Sequence, residues 1–374
     1  MRHLLLIPLC AALSACPTAD PGPEPAPLTL VTYNAGLAIG FVPGAVERTP
    51  ATAAAIGALD ADVICLQEVW EPEMVQAVQA AATSHPHRFW PAPNPETLQD
   101  PACLGTDIDP LMDCMAAQCD GLCADELPAC LLESCAFQFL GLEKDCMRCA
   151  QANVGATPDE IEGICRAEAT QYAYDGAFGT GILSRWPITS TSELLLESTT
   201  TRRSLLHAVI QAPTGAVDVF CTHLTAVFSI IPYPRSEGSW AEEQAGQIAA
   251  IRAYMTAEAS TGRIALMGDL NAGPLVAAND PEQPENYEAA AAGLDVPYVT
   301  QDRRCTFCPD NGISSVDSDD FGVLIDHVML DGFAGATSST RVLDDEITVE
   351  TCGTFIPGAH SDHYGVSVTI QPDP

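Results

Sequence analysis

The sequence predicts an α/β protein built of mixed β-sheets covered by helices, and three observations predict it. From Leu28 onward, apolar runs of strand length alternate with stretches of helical spacing. Run after run ends in a polar residue, as expected when strand ends collect on one rim, where α/β folds place their sites. The chain has 374 residues, 47% of them hydrophobic. Because single cores stop growing at roughly 250–300 residues, one main domain with additions is expected.

The elements follow in order. Met1-Arg2-His3 is a short basic start, Leu4 to Leu13 is an apolar run too short to span a bilayer, and Leu13-Ser14-Ala15-Cys16 sets small residues before a cysteine. This resembles the lipobox of bacterial lipoprotein signals. The resemblance implies a signal peptide over 1–15, cleavage before Cys16 and lipidation of its thiol. The protein would then be exported and held by acyl chains at the cell envelope, on the outer membrane or cell surface. An ordinary secretory signal cut nearby is the alternative. The linker 16–27 is proline-rich, with five prolines from Pro17 to Pro27, a composition that stays extended. The folded body starts near Leu28 and runs to 374.

Leu28 to Tyr33 reads as a strand running into Asn34, and Asp62 to Gln67 as one running into Glu68. Between them Gly44 to Leu59 has helical spacing, and a second helix starts after Glu71-Pro72, where a first-turn proline is tolerated. Further strands are Gly179 to Ser184, Leu205 to Gln211, Val217 to Thr222 ending at His223, and Arg263 to Gly268 ending at Asp269. A helix over Trp240 to Ala257 separates the last two. Phe321 to Leu330 reads as a strand with Asp326 in its middle, and Asp362-His363 opens the last strand, Tyr364 to Ile370.

Charge and cysteine narrow the class. There are 50 acids against 15 bases, a formal charge of −35, and Lys144 is the single lysine among 14 arginines. No basic stripe exists for a duplex, so charge argues weakly against nucleic acid. Of 16 cysteines, Cys10 falls in the signal and Cys16 is the lipid site. Cys65 and Cys221 sit in apolar strand runs and read as small buried hydrophobes. Nine lie between Cys103 and Cys165, followed by Cys305, Cys308 and Cys352. Export makes disulfides the expectation over zinc, despite the C-x-x-C pairs Cys146/Cys149 and Cys305/Cys308. Nine is odd, so if all twelve pair, at least one bridge ties the cysteine-rich segment to the body. Cys114, Cys119, Cys130 and Cys135 are spaced symmetrically, as two helices folded into a stapled hairpin would be, although connectivity is not fixed by spacing. The segment reads as a disulfide-rich helical insert over 101–170, too small to hold a core without staples.

Singly, each polar strand end has a structural explanation. Together, Asn34, Glu68, His223, Asp269, Asn271, Asp326, Asp362 and His363 form the kit for metal-assisted phosphoryl hydrolysis. Hard oxygen ligands suit Mg²⁺, and imidazoles beside carboxylates move protons near neutral pH.

The ordered motifs T-Y-N-A-G, D-V-I-C-L-Q-E-V-W, G-T-G-I-L-S-R-W-P-I, C-T-H-L-T, M-G-D-L-N-A-G-P, L-I-D-H-V and H-S-D-H-Y-G-V resemble the endonuclease/exonuclease/phosphatase superfamily, the deoxyribonuclease-like fold. The resemblance spans about 28–100 and 171–370, leaving the insert without a counterpart. It implies an α/β four-layer sandwich of two mixed sheets flanked by helices, and a metal-dependent phosphoric ester hydrolase. By the same resemblance Glu68 is the principal ligand of Mg²⁺, for which Mn²⁺ or Ca²⁺ can substitute, and Asn34 is its metal- or phosphate-side helper. Asp269 and Asn271 orient the attacking water and the phosphate oxygens. His363 is the general base, oriented by Asp326, and Asp362 contacts the metal or its waters. His223 stabilises the transition state or protonates the leaving oxygen, supported by one of Tyr172, Tyr174 or Asp175.

For the substrate, W-P-I and S-D-H-Y-G-V are similar to sphingomyelinase-like members, which favours a phospholipid and a monomer working at a membrane. The apolar, proline-broken stretch Ala226 to Pro234 either touches that membrane or folds against its own core. A single lysine outside the catalytic region cannot supply the lysine-rich grips of inositol phosphatases. The alternative is a secreted or surface endonuclease, with Arg202-Arg203 and Arg303-Arg304 holding phosphates rather than pairing with surface acids. A non-catalytic binding module is disfavoured because no site position is replaced.

Overall fold

The computed structural model describes residues 26–96, 100–153, 155–167, 172–229, 231–276, 278–316 and 320–372. The signal and most of the linker therefore lie outside the described residues. Two sheets form the centre. The first is six-stranded, in the order Thr337–Val342, Gly365–Ile370, Leu28–Leu37, Val63–Val69, Gly181–Ser184, His87–Phe89. The second is five-stranded, in the order Asp326–Asp331, Ile264–Asp269, Gly215–His223, Arg203–Ala212, Ile188–Leu196.

Their facing sides bury one core, with Leu30, Val63 and Val368 from the first sheet against Leu206, Val219 and Met267 from the second. The outer face of the first sheet is covered by the helices Ala45–Ala58 and Pro72–Ala81 through Ile56, Met74 and Val78. Trp240–Glu258 and Pro284–Ala291 cover the second through Ile248, Ile251 and Tyr287. The layers are helix, sheet, sheet, helix, as the motif resemblance implies.

Cys65 and Cys221 correct the sequence reading. They are not free thiols but a disulfide between the two sheets, with a Cα–Cα distance of 5.5 Å. Each points inward from a central strand, and the sheets come close enough there for the sulfurs to meet. A second correction concerns Asp326, which starts a strand. The preceding Gly322–Val323 pairs separately with Asn279–Asp280, and the chain breaks between them. At the break the Thr306 hydroxyl accepts from the amides of Ile325 (3.1 Å) and Asp326 (3.2 Å), which would otherwise be orphaned.

The insert contains the helices Asp109–Gln118, Leu127–Ser134, Ala136–Leu140, Lys144–Ala152 and Pro158–Cys165. Four bridges staple it: Cys103–Cys146, Cys114–Cys135, Cys119–Cys130 and Cys149–Cys165. The ninth cysteine, Cys123, pairs with Cys352 of the body, as parity required. The insert has a core of its own, but seven of its 18 buried residues are half-cystines, so core and staples are the same groups. It seats closely on the body, since a Cβ added to Gly40 (φ +81°) would lie 2.3 Å from Gly155 Cα. The Asp125 carboxylate also accepts from the Gly44 amide at 2.8 Å.

Candidate functional site

Strand direction gathers the site. Leu28–Leu37 and Val63–Val69 are parallel, as are Gly215–His223 and Ile264–Asp269, so Asn34, Glu68, His223 and Asp269 leave their strands at one rim. Asp326 and His363 arrive at that rim by antiparallel strands, at or just before their starts. Register then sets neighbours. His223, Asp269 and Asp326 lie directly opposite one another across three adjacent strands. Glu68 (φ +55°) and Asn271 (φ +45°) adopt left-handed backbone where their strands end, a conformation costing of order 1–3 kcal/mol that clusters at functional sites.

All eight predicted residues come together. Asn34 Nδ2 donates to Asp269 Oδ2 at 2.9 Å, while its Oδ1 accepts from the Gly36 amide at 3.0 Å. The other Asp269 oxygen accepts from the Asn271 amide at 2.8 Å. Asn271 Nδ2 lies 3.2 Å from His223 Nε2 and donates to Leu224 O at 2.9 Å. His223 Nε2 is 3.5 Å from Asp269 and 3.8 Å from Glu68. His363 Nδ1 meets Asp326 Oδ2 at 2.9 Å, which leaves Nε2 free to act, 3.8 Å from Asp269. Glu68, His223, Asp269, Asn271, Asp362 and His363 line a cavity of about 500 Å³, with Asn34 and Asp326 behind them.

The electrostatics follow from burial and crowding. Burial, then the neighbouring Asp362, pushes Glu68 up to about 7. Burial, then Asp326, pushes Asp269 up to about 6. Burial opposes a charge on His363, but Asp326, Asp269 and Asp362 overcome it and hold the imidazole well above its usual value. His223, deprived of solvent and facing Arg203 and His363, is held well below. One neutral and one readily protonated imidazole thus share a cavity, the division of labour acid–base work needs. The excess of carboxylate oxygens, each penalising the next, is a donor set that fits a hard divalent cation.

Several positioning residues escaped the sequence reading. Arg48, 2% exposed, donates to the carbonyls of Gly36, Pro43 (3.0 Å) and His360 (2.6 Å), holding the turn that carries Asp362. Gly36 (φ +55°) lets that turn in, because a Cβ there would lie 2.5 Å from Asp362 Oδ1. Phe307 packs its ring 4.9 Å from that of His363. With Thr306 it lies inside the Cys305–Cys308 disulfide. An arginine in an alanine-rich helix was the only sequence signal for any of these.

The arginine doublets split. Arg202 pairs with Glu96 at 2.9 Å and covers the Tyr172 ring, whereas Arg203 lines the cavity, 7% exposed, with Nε and Nη1 lacking hydrogen-bond partners. Arg304 is forked onto Asp302 and Arg303 bonds Thr300 O, a surface role. None of the three candidates reaches His223, whose Nδ1 has no partner. Tyr172 donates to Ser198 O and Tyr174 to Ile39 O. The 226–234 loop is packed: Trp240 Nε1 donates to Ile231 O at 2.8 Å, Gln151 to Pro232 O at 3.2 Å, and Lys144 to Tyr233 O at 3.1 Å.

Residues 31–363 match the model of a family described as the endonuclease/exonuclease/phosphatase family. Among solved structures, sphingomyelinase C from Streptomyces griseocarneus is 18% identical, with a TM-score of 0.56 over 92% of this chain and 99% of that one. A beta toxin mutant from Staphylococcus aureus with bound magnesium ions is 14% identical, with a TM-score of 0.56 over 92% and 100%. TDP2 from C. elegans is 11% identical, with a TM-score of 0.52 over 92% and 75%. No curated protein matches the chain in sequence.

Proposed function

Because the chain belongs to the endonuclease/exonuclease/phosphatase family and is a metal-dependent phosphoric ester hydrolase, we propose that it is a phosphodiesterase acting on phospholipids of the sphingomyelin type. One observation carries the substrate class. The cavity is lined both by acids and by a large apolar set that includes Phe41, Val42, Trp70, Val227, Phe228 and Trp240. Among the described residues Arg203 is the one arginine lining it, and no lysine does. A single guanidinium serves one phosphate; a nucleic-acid backbone needs a run of them.

In this reading Glu68 and Asp362 hold Mg²⁺, with Asn34 steadying Asp269 beside it. The cation, when bound, neutralises charge on the phosphoryl oxygens. Arg203 grips a non-bridging oxygen. His363 Nε2, aimed by the Asp326 contact at Nδ1, takes the proton of the attacking water, which Asp269 orients. Asn271 steadies His223, which meets the developing charge or hands a proton to the leaving oxygen.

The seven disulfides fit an oxidising compartment, and no helix among the described residues is long and apolar enough to cross a membrane. We place the protein outside the cytoplasm as a monomer tethered through a lipidated Cys16. The test is a panel of sphingomyelin and phosphatidylcholine, plasmid DNA, and a soluble phosphodiester, each with Mg²⁺ or EDTA and with a His363→Ala control. Mg²⁺-dependent release of phosphocholine, lost in the variant, is expected. DNA nicking without phosphocholine release overturns the assignment in favour of a surface endonuclease.

A further inference from the structure

We infer that the cysteine-stapled insert completes a subsite for one hydrocarbon chain of the substrate, beside the catalytic cavity; this rests on the phospholipid reading above. Between insert and body lies a second cavity of about 150 Å³. Leu131, Leu132 and Phe139 of the insert form one wall. Phe41, Phe228 and Trp240 form the other, and these three, with Thr200, also line the catalytic cavity, so the two spaces are neighbours that share a wall. In this proposal the occupant is a group attached to whatever sits over Glu68 and His363, and the apolar lining suits a hydrocarbon.

Two polar atoms at the seam narrow the choice. Gln151 is 7% exposed, and its Nε2 is committed to Pro232 O. Gln151 and Thr200 both line this cavity, and the Gln151 Oε1 and the Thr200 hydroxyl are buried with no hydrogen-bond partner among the described residues. A buried acceptor left unpaired costs roughly 1–3 kcal/mol, and a ligand that carries a donor recovers it. Turned into the cavity by a side-chain rotation, the Gln151 carbonyl oxygen would select a lipid whose chain is joined through an amide N–H or flanked by a hydroxyl, over one joined through esters alone. The insert also fixes the seam, through the Lys144 and Gln151 contacts to the 226–234 loop.

The experiment uses the full chain with choline-phosphate lipids of increasing chain length, amide-linked and ester-linked, as monomers or at fixed dilution in mixed micelles. A soluble phosphodiester serves as reference. Wild-type kcat/KM is expected to rise roughly fourfold per methylene over the first few carbons, and then level off. Leu132→Trp, which fills the cavity from a half-buried position, flattens that rise while turnover of the soluble phosphodiester stays within twofold, showing an intact site. Amide-linked lipid is preferred at least tenfold, and Gln151→Met erases most of that preference. Lipid hydrolysis with the same chain-length profile in wild type and Leu132→Trp overturns the subsite and leaves the phospholipid reading standing. Equal turnover of amide and ester lipids by the wild type overturns the role of Gln151. Cleavage of the soluble phosphodiester with no lipid of any length hydrolysed removes both the subsite and the substrate class.

Discussion

His363 works as a base only when neutral, and the carboxylates around it favour its charged form. The rate therefore rises with pH as His363 loses its proton, and that limb lies above the ordinary histidine value wherever those carboxylates stay uncompensated. Asp326→Asn removes the nearest negative charge, so the limb moves to lower pH while the maximal rate falls, which a kcat/KM–pH profile measures. His363→Ala itself costs about 10²–10⁴ in kcat. Glu68 offers a second check on the metal-free protein. Its folded value, about 7, exceeds the ordinary carboxylate value of 4.5, so between those limits the folded state binds more protons than the unfolded one. Stability is then lost as pH rises from about 4.5 to 7. Unfolding by denaturant in EDTA should show Glu68→Gln gaining on wild type as pH rises through that window. The eight site candidates were legible because most are polar residues at or beside the ends of apolar runs, Asp326 being the one read in mid-strand. Arg48 was not, and Arg203 was picked out only as half of a doublet, since an arginine's sequence neighbours do not say whether it is buried.

At the scale of elements, most expected strands and helices of the sandwich follow hydrophobic period to within a residue or two, but the first strand runs on to Leu37, the Asp326 strand starts five residues later than expected, and the strands Ile188–Leu196 and Thr337–Val342 were not anticipated. Disulfides were another matter. The parity of nine cysteines demanded a bridge from the insert to the body, but no local signal joined Cys65 to Cys221, because the partners lie on strands 156 residues apart in different sheets. The entropy of closing so long a loop gives about 4–5 kcal/mol in the chain-entropy model. The Cys65→Ala/Cys221→Ala double variant should lose roughly 2–5 kcal/mol in denaturant titration. The Cys305–Cys308 clip bears instead on rate. It encloses Thr306, which caps the Asp326 amide, and Phe307, which packs on His363. Cys305→Ser/Cys308→Ser is expected to lower kcat by roughly tenfold with KM little changed, since loosened catalytic geometry is felt mainly in the chemical step. Steady-state kinetics with the soluble phosphodiester make the comparison.

For the molecule as a whole, the charge of −35 bears on which surfaces it approaches. The insert alone carries 13 acids against three bases, and it walls the cavity next to the catalytic one. Hydrolysis of zwitterionic vesicles should slow when anionic lipid is mixed in at low salt, where the Debye length is about 30 Å at 0.01 M, and recover as salt is raised. A rate unchanged by anionic lipid would mean that the global charge is not felt at the site. The seating of the insert on the body could not be read beforehand, because it depends on contacts between segments far apart in the chain, such as Gly40 against Gly155. Lys144 holds the seam between insert and loop by donating to Tyr233 O. As the sole lysine, it gives the folded protein a single ε-amine for acylating reagents. A fluorophore coupled there occupies one defined address beside the substrate mouth, so one dye reports on that seam without mutagenesis.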